Sequence, residues 1–202
     1  METISVVLSV FNEEAKLART LAALAWADEI IVMDNGSIDS TASIARQYGA
    51  KVTRGKNNPM LNVNKNLGFT KVTGDWILSL DGDEVVPPAL AQEIKEKVVS
   101  SQIVGYWIPR KNILFGKWIQ NGLWWPDKQL RLFKRGVGTF PCKHVHEYVS
   151  VDGPTGELIT PILHYNYETI SQFIRKMDDI YTTSEVNNLL ASGYRVVWYD
   201  SI

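Results

Sequence analysis

Asp81 and Asp83 stand one residue apart where the apolar run Trp76-Ile77-Leu78-Ser79-Leu80 ends, with Gly82 between them. In an open α/β sheet, ligands bind beyond the carboxyl ends of the strands. Two carboxylates delivered there suit a hard divalent cation, Mg²⁺ or Mn²⁺, that also holds substrate phosphates. The competing reading is a ligand-free Asp-Gly turn. Asp34 closes a second apolar run, Glu29-Ile30-Ile31-Val32-Met33. A carboxylate at that place can accept a hydrogen bond from a base N–H or a ribose hydroxyl, or it can simply begin a turn, while Asp39 or Ser40 caps the helix that follows. Lys65, in Asn64-Lys65-Asn66-Leu67-Gly68, is either a phosphate counter-charge or a solvated lysine. Further along, Arg131 is spaced to fork onto a phosphate or to pair with Asp127.

These residues need elements to position them, and the first half of the chain supplies a regular alternation. Ile4–Val10 reads as a β-branched, apolar strand, and Glu13–Ala25 as a helix with its stripe at Leu17, Leu21 and Leu24. Glu29–Met33 is a second strand, and a helix from Ser40 to Tyr48 ends at Gly49. Lys51–Thr53 is a short third strand, followed by a helix over Leu61–Val72 broken around Gly68. Trp76–Leu80 is the fourth strand, and Pro88–Ser100 is a helix with proline in its first turn. Repeated β-α-β units predict a mainly parallel sheet with helices on both faces. In the second half, Gly105–Pro109, Leu130–Phe133 and Tyr148–Val151 read as short strands between Gly-, Pro- and Trp-rich loops. A long amphipathic helix is expected over Thr169–Leu190, with Ile170, Phe173, Ile174, Met177, Ile180 and Tyr181 on one face.

Composition narrows the class. A chain of 202 residues with 45% hydrophobic content builds one domain with a proper core. A net charge of -1 and the lack of any long block of like charge give no reason to expect nucleic-acid binding. The single cysteine, Cys142, offers neither a disulfide framework nor a cysteine zinc cluster, so a reducing compartment, the cytoplasm, is expected. No apolar run approaches the roughly 20 residues of a membrane span. The strand-like ending Val196–Ile202 stops abruptly, the pattern expected of a truncated chain.

Four segments in order, Phe11-Asn12-Glu13-Glu14, Met33–Thr41, Lys65-Asn66-Leu67-Gly68 and Gly74–Asp83, resemble the motifs of family 2 glycosyltransferases with the GT-A fold. In the second of these, Asn35 stands where the family pattern has an acidic residue. Arg131-Leu132-Phe133, His144-Val145-His146-Glu147 and His164-Tyr165 resemble the subgroup of bacterial lipopolysaccharide core glucosyltransferases. The resemblance implies one GT-A domain over 1–202: a Rossmann-like, mainly parallel sheet flanked by helices, a small mixed-strand region on the acceptor side and a C-terminal amphipathic helix. Residues 1–100 would form the nucleotide-sugar half and 101–202 the acceptor half. It also implies inverting, metal-dependent transfer of a hexose from a nucleotide-sugar donor, a UDP-hexose, to a glycan or lipid-linked acceptor. Asn12 and Glu13 would then lie on the donor side, Asp34 at the base and Asp81 at the ribose. Asp83 would hold Mg²⁺ or Mn²⁺, with Lys65 and Arg131 at the phosphates.

Inversion in one displacement needs a general base for the acceptor hydroxyl. Glu147 is the favoured candidate and Asp127 its rival. Strand alternation places His144 and His146 on one face and Glu147 on the other, unless a turn intervenes. His146 is the candidate for completing the metal shell, against a purely structural His-Glu hydrogen bond. Trp118, Trp124 and Trp125 are suited to a sugar platform, though large aromatics more often fill cores. The Thr169–Leu190 helix either packs on the sheet, the expected outcome, or lies against a membrane surface as a peripheral contact. Two other functions share parts of this pattern. A sugar-1-phosphate nucleotidyltransferase would need a glycine-rich opening where Ser9-Val10-Phe11-Asn12-Glu13 stands, and a non-catalytic binding relative would not need Asp81 and Asp83 intact.

Overall fold

The computed structural model describes residues 2–56, 61–99, 102–122, 124–143 and 147–182, together with 186, 190 and 193. The first half holds β1 (Ile4–Val10), α1 (Leu17–Ala22), β2 (Glu29–Asp34), α2 (Thr41–Gln47), β3 (Lys51–Arg54), α3 (Leu61–Phe69), β4 (Trp76–Asp81), β5 (Glu84–Val85) and α4 (Pro88–Val98). The second holds β6 (Gly105–Leu114), β7 (Lys117–Trp118), β8 (Asp127–Lys134), β9 (Gly138–Thr139), β10 (Ser150–Val151), β11 (Thr155–Glu157), β12 (Ile162–Tyr167) and α5 (Ile170–Lys176), which runs into a π-helical turn at Met177–Thr182.

One sheet carries strands of both halves in the order β3-β2-β1-β4-β8-β6-β12-β5, with β7 and β11 also paired to β6. The β3-β2-β1-β4 part is parallel, as the βαβ alternation predicts. β8 is antiparallel to both β4 and β6, while β12 runs parallel to β6 and antiparallel to β5. Only Gly82 and Asp83 separate β4 from β5, yet β5 pairs at the far end of the strand order, so the sheet curls back toward that turn.

The parallel strands are apolar on both faces because both are covered. Val6, Leu8, Val32, Leu78 and Leu80 join Leu17, Leu21 and Leu24 and the Leu90, Ile94 and Val98 stripe of α4 in one core. Val7, Ile31, Met33 and Ile77 pack on the other side with Phe69, Phe133 and Phe140. Gly68 lets α3 lie directly on the sheet: a Cβ there would stand 2.6 Å from Val7 Cγ1.

Several boundaries differ from expectation. The first helix spans only Leu17–Ala22; the chain enters it through a turn closed on the Glu13 carbonyl and leaves it through i→i−3 turns at Ala23, Leu24 and Ala27. β6 and β8 are longer than expected because they pair with each other over most of their length. β12 was not anticipated as a strand: its buried positions include His164 and Asn166, so no apolar alternation marks it. The C-terminal helix is capped by Thr169 and runs as an α-helix to Lys176 before the π-helical turn; of the expected stretch beyond Thr182, only Val186 and Leu190 are described, both helical. Phe173 docks on Phe115 and Tyr167, while Ile170 and Ile174 remain exposed, so the expected packing is carried by one ring. No helix among the described residues is long and apolar enough to cross a membrane.

Candidate functional site

Asp81, the last residue of β4, is held from two sides. Its Oδ1 lies 2.7 Å from Lys65 Nζ on α3, and its Oδ2 lies 2.7 Å from Arg131 Nη2 on β8. Burial alone would raise the Asp81 pKa, but the Arg131 guanidinium and the Lys65 ammonium outweigh it and hold the carboxyl well below the ordinary value. Arg131 does not pair with Asp127; its second partner is the fully buried Glu84, 2.7 Å away. Burial would lower the arginine's pKa, and the two carboxylates more than compensate, raising it. Glu84 also accepts the Asp81 N–H at 2.9 Å, so it closes the turn from beneath.

Asp83 looks elsewhere. Lys16, at the start of α1, approaches its Oδ2 at 3.5 Å, and His164 Nε2 on β12 approaches Oδ1 at 3.5 Å. His164 Nδ1 is 2.6 Å from Asn112 Oδ1, and Asn112 Nδ2 donates to Asp127 Oδ2 at 3.0 Å. Because the amide nitrogen of Asn112 is the donor to Asp127, its oxygen accepts from His164, which leaves Nε2 to present its lone pair toward Asp83 when the ring is neutral. Asp127 pairs with Arg110 at 2.7 Å, and Arg110 reaches Glu84 at 3.3 Å. A polar chain therefore leaves Asp81 through Arg131, Glu84, Arg110, Asp127, Asn112 and His164 and returns at Asp83. Gly82 packs closely between the two aspartates: a Cβ there would meet Val10 Cγ1 at 3.0 Å and Glu13 Cγ at 3.1 Å, so a larger residue would have to push those side chains aside.

Asp34 is buried at the end of β2 and divides its carboxylate between two tasks. Oδ1 accepts the Ser37 N–H at 2.9 Å, forming the turn that sequence reasoning set against a ligand role. Oδ2 has no hydrogen-bond partner, and the Arg54 guanidinium is 4.0 Å away. Asn12 sits at φ 52° and accepts the Ile38 N–H at 3.0 Å, while the Glu13 N–H donates to Thr41 Oγ1 at 2.8 Å. Both residues therefore tie the loop after β1 to the loop after β2, beside Asp34.

A cavity of about 310 Å³ opens next to Asp81, with Asn62, Lys65, Arg110, Arg131, Phe140 and Glu147 among its walls. Glu147 faces it from a loop, not from a strand. Its Oε1 accepts from Asn62 Nδ2 at 3.0 Å and from the Cys142 N–H at 2.6 Å, and Oε2 accepts from the Lys143 N–H at 3.0 Å. Asp127 lies behind this wall, with Arg110 and Asn112 on one oxygen and Gln129 on the other at 2.6 Å. Burial would raise the Asp127 pKa, yet the arginine and the two amides bring it below the ordinary value. His144 and His146 lie outside the described residues. Among the described residues, no group of three or more His, Cys, Asp or Glu side chains is gathered to hold a metal.

The tryptophans form a separate cluster. Trp118 and Trp125 meet edge to face at 5.2 Å, with Lys111 Nζ 4.2 Å from the Trp118 ring centre. Sequence reasoning missed Lys16, Glu84, Arg110 and Asn112. Glu84 and Arg110 are adjacent to singled-out segments but carry no motif of their own. Lys16 reads as a solvated lysine until α1 is seen to place it and Thr20, four residues apart, on the Gly82-Asp83 turn; Thr20 Oγ1 donates to the Gly82 carbonyl at 2.8 Å.

A parallel sheet with acidic residues at the ends of β2 and β4, curled by antiparallel additions, defines a GT-A glycosyltransferase fold. Residues 1–349 of S. aureus TarS, crystallised with UDP, share it at a TM-score of 0.63 and 16% identity, over 87% of this chain and 63% of that one. The mannosyltransferase PcManGT of Pyrobaculum calidifontis, in complex with GDP-Man and Mn²⁺, shares it at 0.54 and 16%, over 79% and 57%. The chain belongs to glycosyl transferase family 2, whose family model matches residues 5–147. It is 27% identical over 206 aligned residues to the lipopolysaccharide core biosynthesis glycosyltransferase LpsC of Rhizobium meliloti (strain 1021), covering 98% of this chain and 76% of LpsC. An uncharacterized glycosyltransferase of Rickettsia typhi is 37% identical over 98 residues, 47% of this chain and 32% of the relative. The chain thus spans about three quarters of LpsC and about a third of the rickettsial protein.

Proposed function

We propose that this glycosyltransferase moves a hexose from a UDP-sugar to a glycan or lipid-linked acceptor of the cell envelope, with inversion and with a divalent cation. The observation that carries the donor half is Asp34 Oδ2, a buried carboxylate oxygen at the end of β2 that accepts no hydrogen bond and has only the Arg54 guanidinium near it at 4.0 Å, one strand removed from β4, which ends at Asp81. A uracil N–H satisfies that oxygen, and an unpaired buried acceptor is otherwise costly. The nucleotide complexes of TarS and PcManGT support a nucleotide-sugar donor, UDP in the first and GDP-Man with Mn²⁺ in the second, and the core-biosynthesis name of LpsC supports a cell-envelope acceptor. In it, residues 1–100 form the donor half and 101–202 the acceptor half, working in the cytoplasm and reaching a membrane-borne acceptor.

The donor set fits a hard cation. Asp83 Oδ2 and the carbonyls of Tyr165 and Asn166 converge on the Lys16 ammonium, oxygen ligands of the kind a hard cation takes, while His164 Nε2 lies 3.5 Å from the other oxygen of Asp83. Mg²⁺ or Mn²⁺ held there supplies positive charge to the departing nucleoside diphosphate. Lys65 and Arg131 add fixed positive charge next to Asp81, which takes the ribose side. Glu147, which lines the cavity, accepts the proton of the acceptor hydroxyl. Asp127 keeps Arg110 and Asn112 in place, and His146, if it also reaches the ion, completes its shell.

Calorimetric titration with UDP, GDP, CMP and dTDP, with and without Mn²⁺, tests this. Metal-dependent UDP binding that Asp83→Ala abolishes is expected. Metal-independent binding, or binding unchanged in that variant, would refute the assignment.

A further inference from the structure

Lys16 is unusual for a lysine on the polar side of a surface helix. Its side chain is 12% exposed, and the ammonium sits in a cage of oxygens: the Asn166 carbonyl at 2.9 Å, the Tyr165 carbonyl at 3.2 Å and Asp83 Oδ2 at 3.5 Å. Backbone carbonyls plus a carboxylate are the ligands that a hard cation takes, and here a side chain of the protein occupies them. From this the geometry points to Lys16 as a resident counter-cation of the metal site, which keeps a divalent ion from settling on Asp83 until a nucleotide diphosphate arrives. The inference rests on the assignment of Asp83 to the metal.

The charge around the turn makes this work. Asp81 is tightly paired to Lys65 and Arg131 at 2.7 Å, whereas Asp83 holds its cation, Lys16, more loosely at 3.5 Å. With Lys16 beside it, the attraction of Asp83 for a further cation is largely spent, and an incoming divalent ion meets an ammonium a few ångströms away in a poorly solvated place. The diphosphate of a donor reverses the balance by bringing negative charge of its own. The ion can then take Asp83 while Lys16 turns to the phosphate or to solvent, and the carbonyls of Tyr165 and Asn166 are released. Loading becomes ordered, with metal and nucleotide entering together. Thr20, one turn along α1, holds the Gly82 carbonyl at 2.8 Å, so the turn keeps its shape when Lys16 leaves.

Electron paramagnetic resonance of free Mn²⁺ measures this directly. Titrations are run on the wild-type chain, Lys16→Gln, Lys16→Met and Asp83→Asn, each with and without UDP, with circular dichroism confirming the fold. Lys16→Gln keeps a donor for the two carbonyls but removes the charge, so it preserves the local structure if Lys16→Met does not fold. Without nucleotide, the wild type is expected to bind Mn²⁺ weakly and Lys16→Gln at least tenfold more tightly, with the gap closing when UDP is present. Equal or weaker Mn²⁺ binding by a folded Lys16→Gln, while Asp83→Asn still abolishes it, would overturn the role of Lys16 alone. Mn²⁺ binding that survives Asp83→Asn, or is absent from every variant even with UDP, would overturn the metal assignment and this inference with it.

Discussion

The parallel half of the sheet and the mixed half hold the Asp81-Gly82-Asp83 turn by different means. In the parallel half, β1, β2 and β4 lie side by side, and each strand ends where the chain delivers a polar group: Asn12 and Glu13 after β1, Asp34 on β2, Asp81 on β4. Position along the strand is enough to bring them together. The mixed half relies less on strand ends, although Asp127 opens β8. Arg131, Arg110, Asp127, Asn112 and His164 lie within β8, β6 and β12, and they converge because those strands pair across the curl. One half therefore presents carboxylates at its strand ends, and the other supplies most of the charges and amides that make a cluster of buried acids tolerable. An unpaired ion in such surroundings is expensive, whereas a paired and hydrogen-bonded one is not.

The sharpest way to break this division is at the two rival bases. Both come from the mixed half, but only Glu147 lines the cavity. Glu147→Gln is expected to lower kcat by roughly 10²–10⁴-fold, the usual range for a lost general base, with donor affinity retained. Asp127→Asn leaves Arg110 with a weaker partner, so it is expected to lower the melting temperature and change kcat far less. Steady-state kinetics with donor and acceptor, beside thermal unfolding, separates the two. If Asp127→Asn removed kcat and spared stability, the mixed half would hold its base within the sheet and the comparison would need redrawing.

The next effect falls on stability. Glu84 is fully buried, and two arginines, Arg131 and Arg110, answer its charge. Arg131→Met leaves Glu84 and Asp81 short of a partner and is expected to destabilise the fold by about 3–5 kcal/mol, the cost of breaking a buried pair from one side. Chemical denaturation reads it. The double variant Arg131→Met with Glu84→Gln is expected to recover part of the loss, which ordinary core damage would not.

The same contrast explains what could be read from the sequence. The four parallel strands, the proline-started α4 and the strand-end acids were legible because burial on both faces leaves apolar runs and because their chemistry sits at run ends. The helix expected over Pro88–Ser100 with proline in its first turn is α4, Pro88–Val98, with Leu90, Ile94 and Val98 on its buried face. The mixed half resisted for a physical reason. Its buried positions on β12 and β6 include the polar residues His164, Asn166 and Asn112, and the described partners of the His164 and Asn112 side chains lie 12 or more residues away, so neither hydropathy nor local spacing reveals them. Arg131 shows the limit: its importance is visible in the sequence, which offers a phosphate or Asp127, four residues earlier, as its partner, whereas the pairing of β8 with β4 gives it Asp81 and Glu84.

The smallest expected effect isolates the parallel half from the site altogether. Glu29 begins β2, at the opposite end from Asp34, and its buried carboxylate accepts from Ser5 Oγ at 2.6 Å, the Thr73 N–H at 2.8 Å and Lys51 Nζ at 2.7 Å. Burial pushes its pKa up, but Lys51, Ser5 and Thr73 together bring it down from 4.5 to about 2. A carboxyl depressed in the folded state adds stability above its unfolded pKa and loses it as pH falls through the folded one, so this contribution is complete above pH 4.5 and fades toward pH 2. Its size is on the order of 3 kcal/mol. Glu29→Gln is therefore expected to be less stable than wild type at pH 7 by about that amount, with the gap narrowing at pH 3. Acid loss from Asp81 affects both proteins alike and cancels in the difference. Urea unfolding at the two pH values measures the gap, and UDP titration at pH 7 should find unchanged affinity in the folded variant, because Glu29 ties the strand starts while the proposed donor site uses their ends. A gap that does not move with pH would mean that Glu29 stabilises by packing alone, and a loss of UDP affinity would mean that the two ends of the parallel half are not independent.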